Sequence, residues 1–319
     1  VVYDLIPAIY PSIYLSDSNI ARWYRTKLTE LRRTDAALCI SASVCREVQA
    51  YLGFDARHVK NISTACAEHF CLNQNEKISW DDLKYRYGID RHVIMYTGGK
   101  DYRKNIEGLL SAYTLLPAET RADHQLVFVS RVDEKFNAWL YKEARSRGIA
   151  ERELVVTGYV SDQELICLYS NCKVFVFPSW HEGFGMPVLE AMACGAPVIA
   201  SNTSSLREVV GREDALFDPY DVTSIAQKLT QVVSDPGLRR VLASHGLERA
   251  KLFSWSKTAR TAWTALETVA EQKASGTRYV SATGSNRPRL AYVSPLPPVR
   301  SGISDYSAEL LPELARFYD

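Results

Sequence analysis

The chain has 319 residues, enough for roughly two domains at about 150 residues each. With 46% hydrophobic and 24% charged residues it is a folded globular chain rather than a disordered or fibrous one. Its 38 Lys+Arg against 37 Asp+Glu give a net charge of +1, which excludes the overall basic excess of nucleic-acid-binding domains and leaves nucleic acid out of the expected partners.

In chain order, residues 1–88 read as the later part of an α/β domain: a strand at the start, a helix over 19–33, a strand at 36–40, a helix over 43–52 and a strand at 58–62. Three strands make a poor core by themselves. Helix 19–33 carries Arg22, Arg25, Lys27, Arg32 and Arg33 beside Trp23 and Tyr24, a pattern that fits a plain solvated face or a helix resting on an anionic membrane. From residue 89 to 272, short apolar runs alternate with helical-period segments, the pattern of a parallel sheet covered on both faces. Strands are expected at 92–97, 125–130, 154–157, 173–178, 197–201 and 215–218, with helices near 104–116, 135–147, 161–170, 186–194 and 204–209, then 221–233, 236–250 and 255–272. The fold class is therefore α/β, a doubly wound, Rossmann-like parallel sheet with a truncated second α/β domain. A Ser/Gly/Thr-rich stretch, 273–288, reads as a linker. Residues 289–319 then open a fresh strand–loop–helix unit, which either begins a further domain or folds back to complete the first.

The seven cysteines form no C-x-x-C pair, so neither a disulfide framework nor a zinc knuckle is indicated and a reducing compartment is the simplest reading. The longest apolar run, 174–177, falls far short of the ~20 residues that span a bilayer, and no signal-peptide pattern opens the chain. These features lead to the expectation of a cytoplasmic protein, in contact with the inner face of the membrane at most. The start at Val1, on what reads as a buried strand, is expected of an excerpt from a longer polypeptide.

Two segments carry chemistry. In Pro178-Ser-Trp-His-Glu-Gly-Phe-Gly-Met-Pro-Val-Leu-Glu190 a strand ends, glycines form the turn, and Pro187 fits a first helical turn, where its missing N–H costs nothing. The amides of Gly183, Phe184 and Gly185 would then face an anion at the carboxyl end of the sheet, with Glu182 in the turn, Glu190 about one helical turn inside and His181 alongside. Carboxylates repel phosphate, so their use is to accept hydrogen bonds from sugar hydroxyls on either side of a diphosphate. In Thr97-Gly-Gly-Lys-Asp-Tyr-Arg-Lys-Asn105, another strand end with Gly98 and Gly99 in the turn, Arg103 and Lys104 stand at a helix start. The helix dipole is positive there, a conflict that an anion between the cations and the amides relieves. Taken alone, both segments also fit a tight turn with solvated charges. Neither a Walker P-loop nor G-x-G-x-x-G occurs, which leaves nucleotide hydrolysis and dinucleotide redox chemistry without their usual motifs.

Residues 96–221 resemble the donor-binding half of a retaining glycosyltransferase of family 4, with GT-B fold. The elements that carry this are Gly98-Gly-x-x-x-Arg-Lys-Asn105, Thr157-Gly158-Tyr159 before a helix containing Glu164-Leu165, Phe175-Val-Phe-Pro-Ser179, Glu182-Gly-Phe-Gly-Met-Pro-Val-Leu-Glu190 with its Glu-x7-Glu spacing, Gly195-Ala-Pro-Val-Ile-Ala-Ser201, Ser205-Leu-Arg-Glu208 and Phe217-Asp-Pro219. The resemblance implies that Arg103 and Lys104 contact a donor diphosphate, that Glu182 binds the donor sugar hydroxyls, that the amides of 183–185 bind the sugar and phosphate, and that Glu190 holds the ribose. It implies transfer with retention, no side-chain nucleophile and no cofactor beyond a nucleoside-diphosphate sugar, GDP-mannose being favoured. The acceptor would be a glycan or lipid-linked glycan of surface polysaccharide biosynthesis, and the polypeptide would hold further glycosyltransferase domains. No Asp-x-Asp is present to bind a metal. Two features depart from the family pattern: Gly99 stands where many members carry arginine, and the early acceptor-side strands are missing before Val1. The 319 residues alone are accordingly expected to show weak or no transfer. A non-catalytic nucleotide-sugar-binding scaffold domain and a sugar-nucleotide epimerase of the same fold are the competing readings.

Overall fold

The computed structural model describes residues 1–71, 78–130, 134–274, 294, 296–298 and 302–318. The chain forms two compact units, Glu68–Leu252, and Val1–Ala67 together with Phe253–Asp319.

The unit Glu68–Leu252 is built on a six-stranded parallel sheet of order β5-β4-β3-β6-β7-β8. Its strands are β3 (His92–Thr97), β4 (His124–Val129), β5 (Leu154–Gly158), β6 (Val174–Phe177), β7 (Val198–Ser201) and β8 (Leu216–Phe217); β1 and β2 belong to the other unit. Their near-continuous apolar composition follows from burial on both faces: Ile94, Met95, Tyr96, Phe128, Phe175 and Phe177 are fully covered. Helices Ile106–Thr114, Met186–Ala193 and Val222–Ser234 supply part of that cover, each burying one stripe of aliphatic side chains. From β3 the chain steps to β4 and β5 on one side, whereas β6 pairs with β3 on the other side and leads on to β7 and β8. The order therefore reverses between β3 and β6, and a doubly wound sheet binds ligands at the carboxyl ends of the strands flanking such a reversal.

In the unit formed by residues 1–67 and 253–319, β1 (Ala37–Cys39) and β2 (Val59–Asn61) pair in parallel. The strand expected at the start is reduced to a single bridge, Val2 to Cys39, after which short helices Ile6–Ile9 and Pro11–Tyr14 begin with prolines in their first turns. So small a sheet needs cover, and the helix Trp255–Ala274 gives it: Ala262 and Ala265 close over Leu38 and Ile62, with Leu266 against them. Helix Gly302–Leu314 joins the same unit, where Tyr306 packs edge-on against both Tyr3 and Trp255. The two last helices thus share a unit with the first residues; the sequence attached 255–272 to the preceding domain and left 289–319 open between a further domain and one that folds back to the first. The strand expected at 289–294 lies outside the described residues except for Ser294.

Candidate functional site

The loops after β3 and β6, neighbours at the reversal point, carry the two segments picked out in the sequence. The β3 loop makes a single 3₁₀ turn, Tyr102–Lys104, started by the Asp101 side chain accepting from the Arg103 N–H at 3.0 Å. Asn105 follows in the left-handed region at φ 51°. Its side-chain amide donates to the carbonyls of Pro178 (3.1 Å) and Pro219 (2.9 Å), so one buried residue ties together the loops after β3, β6 and β8. The β6 loop runs from Pro178 to Gly185, which caps helix Met186–Ala193 at φ 101°. A Cβ on Gly185 would stand 2.5 Å from Leu206 Cδ2, so this position requires glycine both for its conformation and for its clearance. The loop is further held by Ser205, whose hydroxyl faces the carbonyls of Glu182 (2.9 Å) and Phe184 (2.8 Å), and by Ser204, which accepts from the Glu182 N–H at 3.0 Å.

Between the loops lies a buried charge cluster. The Glu182 carboxylate accepts from Lys104 Nζ at 2.6 Å through one oxygen and from Arg103 Nη1 through the other. The side chains of Lys104 and Glu182 are only 12% and 9% exposed, so the cluster is largely out of water. Burial alone would raise the Glu182 carboxyl, but the two cations outweigh it and hold the group below the usual carboxylate range. Burial also draws the Lys104 ammonium below its ordinary value, with Glu182 opposing and Arg103 reinforcing that shift. Lys104 Nζ sits 4.7 Å from the Phe177 ring centroid, a second favourable contact for the charge. Asp101 adds a second carboxylate, 3.5 Å from Arg103 Nε, so the two cations of the cluster meet two carboxylates of the protein itself.

The sequence placed the cations at a helix start with an anion between them and the amides; they stand in the 3₁₀ turn before helix Ile106–Thr114 and pair with the protein's own Glu182. The cause is the strand order, which brings the carboxylate to them from a segment 78 residues further along.

Glu190, on the fifth position of helix Met186–Ala193, stands apart from this cluster. Its carboxylate accepts from the Tyr169 hydroxyl at 3.3 Å, and that hydroxyl lies 3.5 Å from Thr97 Oγ1 at the end of β3. Burial pushes the Glu190 carboxyl up to about 7, with Tyr169 opposing. The main chain at His181 is drawn in through its carbonyl, 3.5 Å from Arg103 Nη1. Gly98 adopts φ 141° with the Tyr96 hydroxyl beneath it, where a Cβ would lie 2.6 Å from that oxygen; Gly99 has open space around it. Sequence reasoning missed the positioning role of Asn105, Ser204, Ser205 and Tyr169. Asn105 and Ser205 stood inside quoted motifs, but only the structure shows that their side chains join separate loops.

A parallel sheet with a glycine-rich loop and paired charges at its reversal point is a Rossmann-like α/β fold, and solved structures sharing this fold include GT-B glycosyltransferases. Sucrose-phosphate synthase from Thermosynechococcus elongatus matches at TM-score 0.64 and 23% identity, covering 77% of this chain and 61% of that one. Anabaena HepE, crystallised with UDP and glucose, matches at TM-score 0.63 and 19% identity over 77% of this chain and 66% of its own. The sequence profile described as "Glycosyl transferases group 1" matches residues 84–249, and the chain belongs to that family. Among its relatives, the serotype-specific mannosyltransferase WbdA of Escherichia coli is 40% identical over 262 residues, 82% of this chain and 32% of WbdA. The O-antigen chain mannosyltransferase B of E. coli is 44% identical over 210 residues, 66% of this chain and 54% of the relative. The chain thus spans about a third of the WbdA length. Among the described residues, no helix is long and apolar enough to cross a membrane.

Proposed function

We propose that residues 84–249 form the donor half of a retaining family 4 hexosyltransferase that takes mannose from GDP-mannose and adds it to a glycan of surface polysaccharide biosynthesis. The observation carrying this reading is the Arg103–Glu182–Lys104 cluster at the reversal point, where two cations share one carboxylate. A donor diphosphate placed there competes with Glu182 for the cations and releases its carboxylate toward the hydroxyls of the sugar. Lys104 and Arg103 then neutralise the charge that grows on the diphosphate as the glycosidic bond breaks. Gly183 and Gly185 supply backbone N–H groups with no partner among the described residues. In this reading the acceptor attacks from the face the diphosphate leaves, so no side-chain nucleophile is needed. Glu190, as carboxylate, accepts from the ribose hydroxyls. The choice of mannose rests on the names of the two E. coli relatives.

The same reading covers the acceptor. Helix Ser18–Leu31 leaves Ile20 and Trp23 52% and 61% exposed on a surface that also carries Arg22 and Arg25, a combination suited to a peripheral seat on anionic lipid near a lipid-linked glycan. Transfer measured in the longer polypeptide tests the proposal. Lys104→Ala is expected to lower turnover about 10²–10³-fold, the usual cost of removing one preorganised charge-stabilising group. Retained turnover in that variant, or a product with inverted anomeric configuration, would defeat the assignment.

A further inference from the structure

Beside the donor crevice, and outside the residues assigned to it, the unit Glu68–Leu252 carries a cavity of about 580 Å³ whose walls include Tyr102, Trp139, Trp180 and Tyr220. Trp180 and Tyr220 lie nearly parallel, at 6° and 6.2 Å between centroids, and Tyr102 meets Trp180 edge-on at 4.5 Å. Solvent reaches these rings: Tyr220 is 67% exposed and Tyr102 53%. Trp180 is fixed in place by its indole N–H donating to the Pro219 carbonyl at 3.3 Å and its main-chain N–H donating to the Arg103 carbonyl at 2.8 Å. Across the cavity the face of Trp139 is covered by Lys100 Nζ at 4.8 Å. An exposed Tyr220 ring stacked on a Trp180 that is held by its own polar atoms forms a preorganised platform rather than packing for the core.

The charge lining this cavity is already compensated. Arg147 donates to Glu143 at 2.6 Å and to Ser111 at 3.1 Å, and lies 3.8 Å from the Glu107 carboxylate. Lys100 and Arg147 on this wall are matched in number by Asp101 and Glu107, so it offers no net cation for a phosphate, but it presents hydrogen-bonding groups of both kinds beside flat apolar rings. That combination matches a neutral ring with a C–H face and a rim of hydroxyls, that is, a hexose unit.

We propose that this aromatic cavity is a second carbohydrate site, which holds a stretch of neutral hexose chain beside the donor crevice. The assignment rests on the glycosyltransferase reading above and extends it from the donor sugar to the polymer. The main-chain bond from Trp180 to Arg103 couples the platform to the cation loop, so a chain seated on the rings lies next to the reacting centre.

Calorimetric titration of the 319-residue protein with α-linked mannohexaose tests this. Saturable binding is expected, weakened about tenfold by Tyr220→Ala and by Trp139→Ala, and kept by Tyr220→Phe, which preserves the ring. Absence of hexaose binding to the unaltered protein, equal binding by both alanine variants, or competitive displacement of the hexaose by GDP would each overturn the proposal. A parallel GDP titration reads the donor crevice separately. If GDP fails to bind while the hexaose does, the donor assignment falls and the carbohydrate site stands.

Discussion

Glu182 is a counter-ion of Arg103 and Lys104, and the proposed function asks it to accept from sugar hydroxyls as well. Removing its charge takes the paired carboxylate from Lys104 in a nearly dry setting and leaves Arg103 with Asp101. Glu182→Gln is therefore expected to lower unfolding stability by about 3 kcal/mol, read from urea denaturation, and to recover part of that loss when a nucleoside diphosphate is added. An unchanged midpoint in urea would mean that the cluster does not stabilise the loops. Two glycines separate conformational need from motif. Gly185→Ala places a Cβ against Leu206 at a positive φ and is expected to cost about 1–3 kcal/mol. Gly99→Ala, with open space and no such φ, is expected within about 0.5 kcal/mol of the parent. Thermal melting distinguishes the two. Glu190, raised to about 7 by burial, is expected to make nucleotide affinity rise between pH 6 and 8, as the carboxylate needed to accept from ribose becomes the main form. In Glu190→Gln that slope is expected to vanish. The sequence singled out these positions because they stand in glycine-bearing turns at the ends of strands. It did not show that Glu182 would turn back onto Arg103 and Lys104, since that contact depends on β3 and β6 being neighbours in the sheet.

At the scale of elements, β3 to β8 were legible because each is a short apolar run ended by a turn residue, and the observed bounds fall close to those expected. Helices Ile6–Ile9, Pro11–Tyr14, Trp80–Tyr87 and Ala118–Asp123 were missed, whereas the equally short Met186–Ala193 and Leu206–Val210 were read from their place in the strand–helix alternation rather than from a helical period. The first ends of β3 and β4 carry a histidine pair, His92 and His124, with ring centroids 5.3 Å apart. His124 Nδ1 lies 2.8 Å from the Thr120 carbonyl, so it bears the proton and Nε2 is left bare, buried and without a hydrogen-bond partner among the described residues. Burial lowers both imidazoles below their ordinary value. The folded state thus favours their neutral forms, and the unfolded chain takes up protons first as the pH drops. The stability they contribute is complete above about pH 6.5 and is lost as the pH falls below it. A melting temperature that declines from pH 7.5 to 5.5, with a shallower decline in His124→Gln, is the expected result. Equal slopes in the two proteins would remove the pair from this account.

At the scale of the whole molecule, the unit Val1–Ala67 with Phe253–Asp319 depends on segments far apart in sequence, and this is where composition and periodicity gave least. Nothing local in Trp255–Ala274 announces that Ala262 and Ala265 cover Leu38 and Ile62, because small residues on a helix fit many partners. Truncation after Leu252 removes that cover. It is expected to make residues 1–67 sensitive to protease while Glu68–Leu252, whose sheet is complete, stays protected; uniform resistance would contradict the division. The central claim concerns the other unit: the loops after β3 and β6 jointly grip a nucleoside diphosphate. The most direct measurement is a calorimetric titration of GDP, UDP, dTDP and ADP into the unaltered protein and into Lys104→Ala. One of the four, GDP foremost, is expected to bind at a single site, with affinity at least about tenfold lower in the variant. Binding of none of them, or equal binding by both proteins, would contradict the account.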